Sequence, residues 1–363
     1  MNTNLITGIQ QMGVGVENVF DAWKWYYIAF GMDIKAFDDA NIADFMAPYM
    51  GGKPREKRAI LTVNLQGGGG FEIWQHMEHK PVKPSFEIKI GDLGIFAAKI
   101  KCKNIEKTYD YYKTAGIECV GDISENPEGD KSFFIKDPFG NYFQMVELNN
   151  WFSNENKPTG GVCGAVIGVS DITEALKVYS GILGYDTVKF EKEGIFNDFA
   201  NIPGGDIKCK RILLSHKNIR TGSFSKLYGT SEIELVQVLD RKPEKMFKDR
   251  YWGDPGFIHL CFDVIGMDKL ETECASKKFP YTVDSRSKND DTSFDMGDAS
   301  GHFAYIEDPD GTLIEFVEAH RLPIIKKFGW YMNLKKRNGK NLPDWMIKTL
   351  KMKRVKYSKI ISV

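Results

Sequence analysis

No apolar run in the 363 residues approaches the length a membrane-spanning helix needs, about 20 residues. The start, MNTNLITGIQQMGVG, lacks the basic opening and apolar core of a secretory signal. Six cysteines (Cys102, Cys119, Cys163, Cys209, Cys261, Cys274) include no C-x-x-C pair, which argues against a structural zinc or a disulfide framework and for reduced thiols. The expectation is a cytoplasmic protein. The GGGG at 67–70 is not followed by the Lys-Ser/Thr of a phosphate loop, so it reads as a hairpin turn. Net charge is absent too, with 49 basic and 49 acidic residues, but the balance is uneven along the chain. From Arg321 onward there are thirteen Lys or Arg and one acid, Asp344, leaving the preceding body at −12. A basic extension packed on an acidic body follows from that, with nucleic acid or an anionic membrane as the weaker reading.

What is present is a repeat. Four times an apolar strand runs into an Asn, Asp or Gly turn and then a helix-period segment: QMGVGVEN from Gln11, AAKIKCKN from Ala97, GAVIGVSD from Gly164 and HLCFDVIG from His259. The helices are expected to end at Gly31, Gly116, Gly184 and Phe279, glycine being the usual left-handed terminator. Further strands follow each helix, and DPFG at Asp137 and DPDG at Asp308 join the last two strands of copies two and four. Each unit reads β-α-β-β-β. Such a sheet cannot bury both faces alone, so units should pair. The polar stretch SNENKPTGG at 153–161 marks the boundary between a pair of copies one and two and a pair of copies three and four. The tail should be helical, with Trp345, Met346 and Leu350 as its buried stripe.

Strand alternation in GFIHLCFDV puts His259, Cys261 and Asp263 on one face, and Glu315 sits between Ile314 and Phe316 in the closing strand. A histidine and a carboxylate projecting from two strands of one sheet supply half of a metal site.

The repeat resembles the vicinal oxygen chelate superfamily, which includes glyoxalase, methylmalonyl-CoA epimerase, extradiol dioxygenases and bleomycin-resistance proteins. The likeness spans roughly residues 5–320 and is strongest in GVSDITEALKVYSGILGYD and YIEDPDGTLIEFVE. It implies an α+β fold of four βαβββ modules paired into two domains, 1–152 and 160–320, followed by a basic helical extension over 321–363. In that family, metal ligands come from the first and last strands of two paired units. Carried over, the first pair offers Gln11, Glu72, Ala97 and Gln144, a poor set that implies a structural or capping domain. The second pair offers Gly164, Glu234, His259 and Glu315. The resemblance therefore implies a divalent ion (Zn, Ni, Co, Mn or Fe) on Glu234, His259 and Glu315, with water, substrate or His302 filling the place at Gly164.

The implied activity is that of a metal-dependent lyase or isomerase of glyoxalase or epimerase type, acting on a small α-hydroxycarbonyl, thiohemiacetal or acyl-CoA substrate. Glu234 is the expected base, with Glu315 or His302 behind it, and Arg211 and Arg250 are candidate anion anchors. Two alternatives stay open: an extradiol-type Fe(II) dioxygenase and a non-catalytic binding protein of bleomycin-resistance type. The expected partner is a small molecule, with the protein a monomer or homodimer.

Overall fold

The computed structural model describes residues 5–286, 294–296, 299–325, 330–337 and 339–360. Module one consists of β1 (Ile6–Gly15), α1 (Val19–Phe30), β2 (Ile34–Ile42), β3 (Glu56–Val63) and β4 (Gly70–His76). Module two has β5 (Gly94–Cys102), α2 (Ile105–Ala115), β6 (Cys119–Glu125), β7 (Lys131–Lys136) and β8 (Tyr142–Glu147). Module three runs through β9 (Thr159–Gly168), α3 (Ile172–Tyr179), β10 (Thr187–Gly194), β11 (Cys209–Ser215), a short α4 (Ser225–Tyr228) and β12 (Glu232–Val238). Module four holds β13 (Gly256–Val264), α5 (Met267–Ser276), β14 (Val283–Asp284), β15 (Phe294–Met296), β16 (Ala299–Glu307), β17 (Leu313–Ile325) and β18 (Trp330–Asn333). The last helix, α6, spans Asp344–Lys348.

The turn residues act as their chemistry predicts. Asn18, Asn104 and Asp171 each accept backbone N–H groups of the helix they open, which satisfies donors the helix itself cannot. Gly31 and Gly116 close α1 and α2 at φ 60° and 70°. In the fourth copy Lys278 takes that conformation, at φ 71°, one residue before the expected Phe279.

The pairing of modules departs from the expectation. One sheet runs β14-β16-β17-β13-β1-β4-β3-β2, joining modules one and four, and the other runs β10-β11-β12-β9-β5-β8-β7-β6, joining two and three. The seams are antiparallel, β1 with β13 and β5 with β9. The physical reason lies in the connections. The linker at 153–161 leads from β8 to β9 within one sheet, whereas 77–93 and 239–255 carry the chain across between sheets. A repeat identifies the units but does not say which two share a seam. The GGGG turn, besides joining β3 to β4, brings the two sheets together: Gly69 and Val162 exchange backbone hydrogen bonds at 2.7 and 2.9 Å. A Cβ on Gly68 would lie 2.6 Å from the Gly161 carbonyl carbon, so only glycine fits there.

One face of each sheet enters a shared core with the helices, which contains Met12, Phe71, Leu260 and Phe316 from one sheet and Ile100, Phe143, Ile167 and Leu235 from the other. Strand alternation then commits the intervening residues to the opposite, concave faces. The tail begins as strand, since β17 continues through Arg321 and pairs with β18. Among its described residues Leu334, Leu342, Ile347 and Ile360 are buried, while Trp345 is 65% exposed. The charge asymmetry is expressed as contact: Arg354 pairs with Asp33 and Glu155, Lys351 with Glu155, and Lys226 of the body with Asp344 of the tail. Among the described residues no helix is long and apolar enough to cross a membrane.

Candidate metal centre

Four adjacent strands of the first sheet, β17, β13, β1 and β4, each aim one polar side chain at the same point on the concave face. They contribute Glu315, His259, Gln11 and Glu72. The register fixes this convergence: Gly13 lies opposite both His259 and Glu72, and Cys261 lies opposite both Gln11 and Glu315. His259 Nε2 is 3.1 Å from Glu315 Oε2 and 3.3 Å from Glu72 Oε2. Gln11 Nε2 donates to Glu72 Oε2 at 3.1 Å and approaches Glu315 Oε2 at 3.4 Å. Gly13 makes room for the ring, since a Cβ there would sit 2.4 Å from His259 Cε1.

The site is walled by aromatic side chains. The Trp252 ring stacks parallel to His259 at 5.9 Å and 14°, and Tyr305 meets it edge-on at 5.6 Å. Burial opposes a charge on His259, but Glu315 and Glu72 outweigh it and raise the imidazole to about 9. Glu315 is itself desolvated, yet His259, with hydrogen bonds from Cys261 and Tyr305, holds it below the usual carboxylate range. The Cys261 thiol is pushed well up by burial, then by Glu315.

Two carboxylates, an imidazole and an amide carbonyl form a donor set suited to a first-row divalent ion. The ligand atoms of Glu72, His259 and Glu315 lie within 4.8 Å of one another. The Gln11 Oε1 atom is buried with no hydrogen-bond partner among the described residues, and both His259 ring nitrogens lack one of good geometry. An unsatisfied buried carbonyl is costly unless something else satisfies it. The residues fit an ion.

The point opens on a cavity of about 1110 Å³. Gln11, Glu72 and Glu315 form its polar end, and Trp74, Trp252, Phe303 and Tyr305 line its inner wall. Leu342, Trp345, Met346 and Ile347 of the tail close the far side.

The second sheet carries the degenerate counterpart. Glu234 is there, with no place near His259: Lys99 donates to its Oε2 at 2.8 Å, and Arg211 Nε to its Oε1 at 2.8 Å. Lys99 also donates to Gln144 Oε1 at 2.7 Å. A side chain at position 164 would come within 3.1 Å of Lys99 Cδ, so the place expected to be vacant at Gly164 is crossed by the lysine stem. An ammonium holds the carboxylate and amide that family ligand positions supply.

Of the residues expected at the site, His259 and Glu315 meet, whereas Glu234 does not join them. Gln11 and Glu72, assigned to a metal-free pair, are the missing members. His302 pairs with Asp284 at 2.7 Å and lies opposite Glu318 in the β16–β17 ladder. Glu315 instead lies opposite Tyr305, so alternation sends His302 to the other face of the sheet. Arg211 is fully buried between Asp198 and Glu234, with its Cζ 3.6 Å from the centre of the Phe199 ring, which removes it as an anion anchor. Arg250 donates to the carbonyls of Pro255 and Met246 and braces a loop.

Residues 8–145 match the family model described as Glyoxalase/Bleomycin resistance protein/Dioxygenase superfamily. No curated protein matches the sequence. Among solved structures, glyoxalase I from Zea mays superposes with a TM-score of 0.52 at 14% identity, covering 85% of this chain and 92% of that one. A Bacillus subtilis protein of unproven activity described as a dioxygenase gives 0.58 at 11% identity, covering 99% of this chain and all of that one. At these identities the likeness is one of fold, and it extends over both sheets. The family match thus covers the first two modules, and the likeness in fold covers both sheets.

Proposed function

We propose that this chain is a metal-dependent lyase or isomerase that moves a proton at a carbon next to a carbonyl or hydroxyl-bearing carbon, as glyoxalase-type enzymes do. The observation that carries the reading is the convergence of Gln11, Glu72, His259 and Glu315 at the polar end of an apolar cavity. These are the family's ligand positions for a pairing of modules one and four, and all four hold a donor. A divalent ion held there would stabilise negative charge developing on adjacent substrate oxygens.

The protein's own groups supply the rest. Glu315 is fixed by His259, Cys261 and Tyr305, which suits an anchor. Among the described residues Glu72 is held by His259 and Gln11, and its side chain is 14% exposed. It is the carboxylate with freedom to take and return a proton. Trp74, Trp252 and Tyr305 exclude water around that transfer and offer an apolar wall to the remainder of the substrate. A ring-cleaving dioxygenase resembling the family would use a second imidazole, and His302 faces away. The substrate class that fits is an α-hydroxycarbonyl or thiohemiacetal bearing an apolar group.

The test is proton exchange. Protein stripped with chelator and reloaded with Zn, Ni, Co, Mn or Fe is given a panel of thiol adducts of aromatic and aliphatic 2-oxoaldehydes in D₂O. Metal-dependent exchange of the carbon-bound proton, lost in Glu72→Gln, is expected. Oxygen consumption on a catechol panel with no exchange on any adduct would overturn the reading.

A further inference from the structure

A second cluster of ligand-type side chains lies on the same sheet, outside the site described above. His76 ends β4, His79 follows in the next loop, and Asp254 sits in the turn that leads into β13. One ligand atom from each lies within 4.8 Å of the others. His79 Nε2 is 3.3 Å from Asp254 Oδ1, and the His76 and His79 rings meet edge-on at 4.8 Å.

His76 is the residue that needs explaining. It is 3% exposed, and neither ring nitrogen has a hydrogen-bond partner of acceptable geometry among the described residues. A buried imidazole left so is costly unless something else satisfies it. The backbone of Trp252 lies beside the ring, and a backbone carbonyl is a group to which a ligating histidine commonly donates its other N–H. Asp254 is wholly buried and already oriented, its Oδ1 accepting from Val82 N at 3.0 Å and its Oδ2 from Tyr251 N at 2.8 Å. These are the features of a preorganised ligand set rather than of solvated surface groups.

We infer that His76, His79 and Asp254 form a second, structural site for a divalent transition ion of the zinc or cobalt class, with the fourth place open to water. The ion would tie the exit of β4 to the entry of β13, stapling module one to module four behind the Trp74–Trp252 wall. Trp74 touches both Trp252, at 4.7 Å, and His76, at 4.6 Å. Glu72 and His76 are four residues apart on one strand, roughly 13 Å at 3.3 Å per residue, so the two ions would be separate.

Metal stoichiometry of the full chain tests this independently of the proposed activity. Chelator-stripped wild type, His79→Gln, His259→Gln and the double variant are loaded with Zn²⁺ or Co²⁺, desalted and analysed by mass spectrometry of the metal. His79 is half-buried, so H79Q should fold, and circular dichroism checks each variant. Two equivalents are expected for wild type, one for each single variant and none for the double. In H259Q, Co²⁺ should give a visible absorption band and raise Tm, and both effects should vanish in the double variant. An H259Q protein that binds no metal, or an H79Q protein that binds as much as wild type, would overturn the second site. H259Q and wild type binding one equivalent each, lost in H79Q, would support this site while removing the ion from the proposed catalytic one.

Discussion

Lys99 Nζ stands 2.8 Å from Glu234 Oε2 in a pocket where both side chains are almost wholly buried. The pair occupies the concave face of the second sheet as the His259–Glu315 cluster occupies the first. Burial raises the Glu234 carboxyl, but Arg211 and Lys99 overcome this and bring it to about 2. Removing the lysine would leave Glu234 leaning on Arg211 alone. Breaking a buried pair from one side costs about 3–5 kcal/mol. Lys99→Met is expected to lose stability toward the lower end of that range, because Arg211 remains, with metal content and turnover unchanged. Urea denaturation beside metal analysis checks both halves.

The two carboxylates of the first sheet should separate by readout. Glu315→Gln removes the more tightly held of the two proposed ligands and is expected to lower metal affinity at least tenfold and activity with it. Glu72→Gln keeps an oxygen donor in place, so metal content should stay within about twofold of wild type while turnover falls by 10²–10⁴, the usual worth of a positioned base. Equal metal loss in both variants would remove the division of roles.

Acid and base act on His259 in opposite senses for the empty and the loaded protein. Its folded value, about 9, lies above the ordinary histidine value. The ion pair therefore contributes stability to the metal-free protein below about pH 6.5, and that contribution fades as pH rises through 9. A ligated imidazole must give up its proton, so metal affinity should climb over the same interval. Thermal unfolding of empty and loaded protein from pH 6 to 10 should show the gap widening with pH, and the trend should disappear in H259Q.

Tyr26 and Tyr179 are equivalent residues of α1 and α3, and each donates to the aspartate of a distant turn: Asp137 at 3.0 Å and Asp308 at 2.9 Å. Burial lifts both carboxyls to about 6. Modules one and two, and three and four, thus do touch, through helix and turn rather than through a sheet. Tyr26→Phe and Tyr179→Phe should each cost about 1 kcal/mol, the net worth of one hydrogen bond. Their sum should be additive, since the sites are independent. Chemical denaturation of the two single variants and the double variant provides the check.

These contacts show what was readable beforehand. The strand, cap and helix of the first three modules follow from local chemistry, because Asn18, Asn104 and Asp171 act on neighbours two or three residues away. His259 and Glu315 were visible because they share a module. Glu72 and Gln11 were in view as ligand-position residues but were assigned to the wrong partner, since the seam β1–β13 joins residues some 250 apart and leaves no local trace. One signal did exist: Gly13, two residues past Gln11 on the same face, is a glycine only because His259 needs its space. Lys99 was silent for the opposite reason. A strand lysine reads as solvent-facing until the carboxylate it meets is known.

The tail supplies the final prediction. Leu342 and Ile347 are 2% and 1% exposed, and they border the same cavity that ends at Glu72 and Glu315. Arg354 and Lys351 clamp the segment to Glu155, whose carboxyl they draw down to about 2 against its partial burial. Truncation after Gly339 should therefore remove one wall of the cavity and leave the ligands in place. The expected outcome is a lower Tm, a KM raised tenfold or more for apolar substrates and unchanged metal content. Ile347→Ala is the milder probe, costing about 2–4 kcal/mol if the gap does not refill. Glu155→Gln weakens the clamp, leaving the Arg354–Asp33 pair, without touching the wall, and should produce the same KM change in smaller measure, larger at low salt than at high. A truncated protein with wild-type KM would mean that the tail stabilises the body without shaping what the cavity accepts.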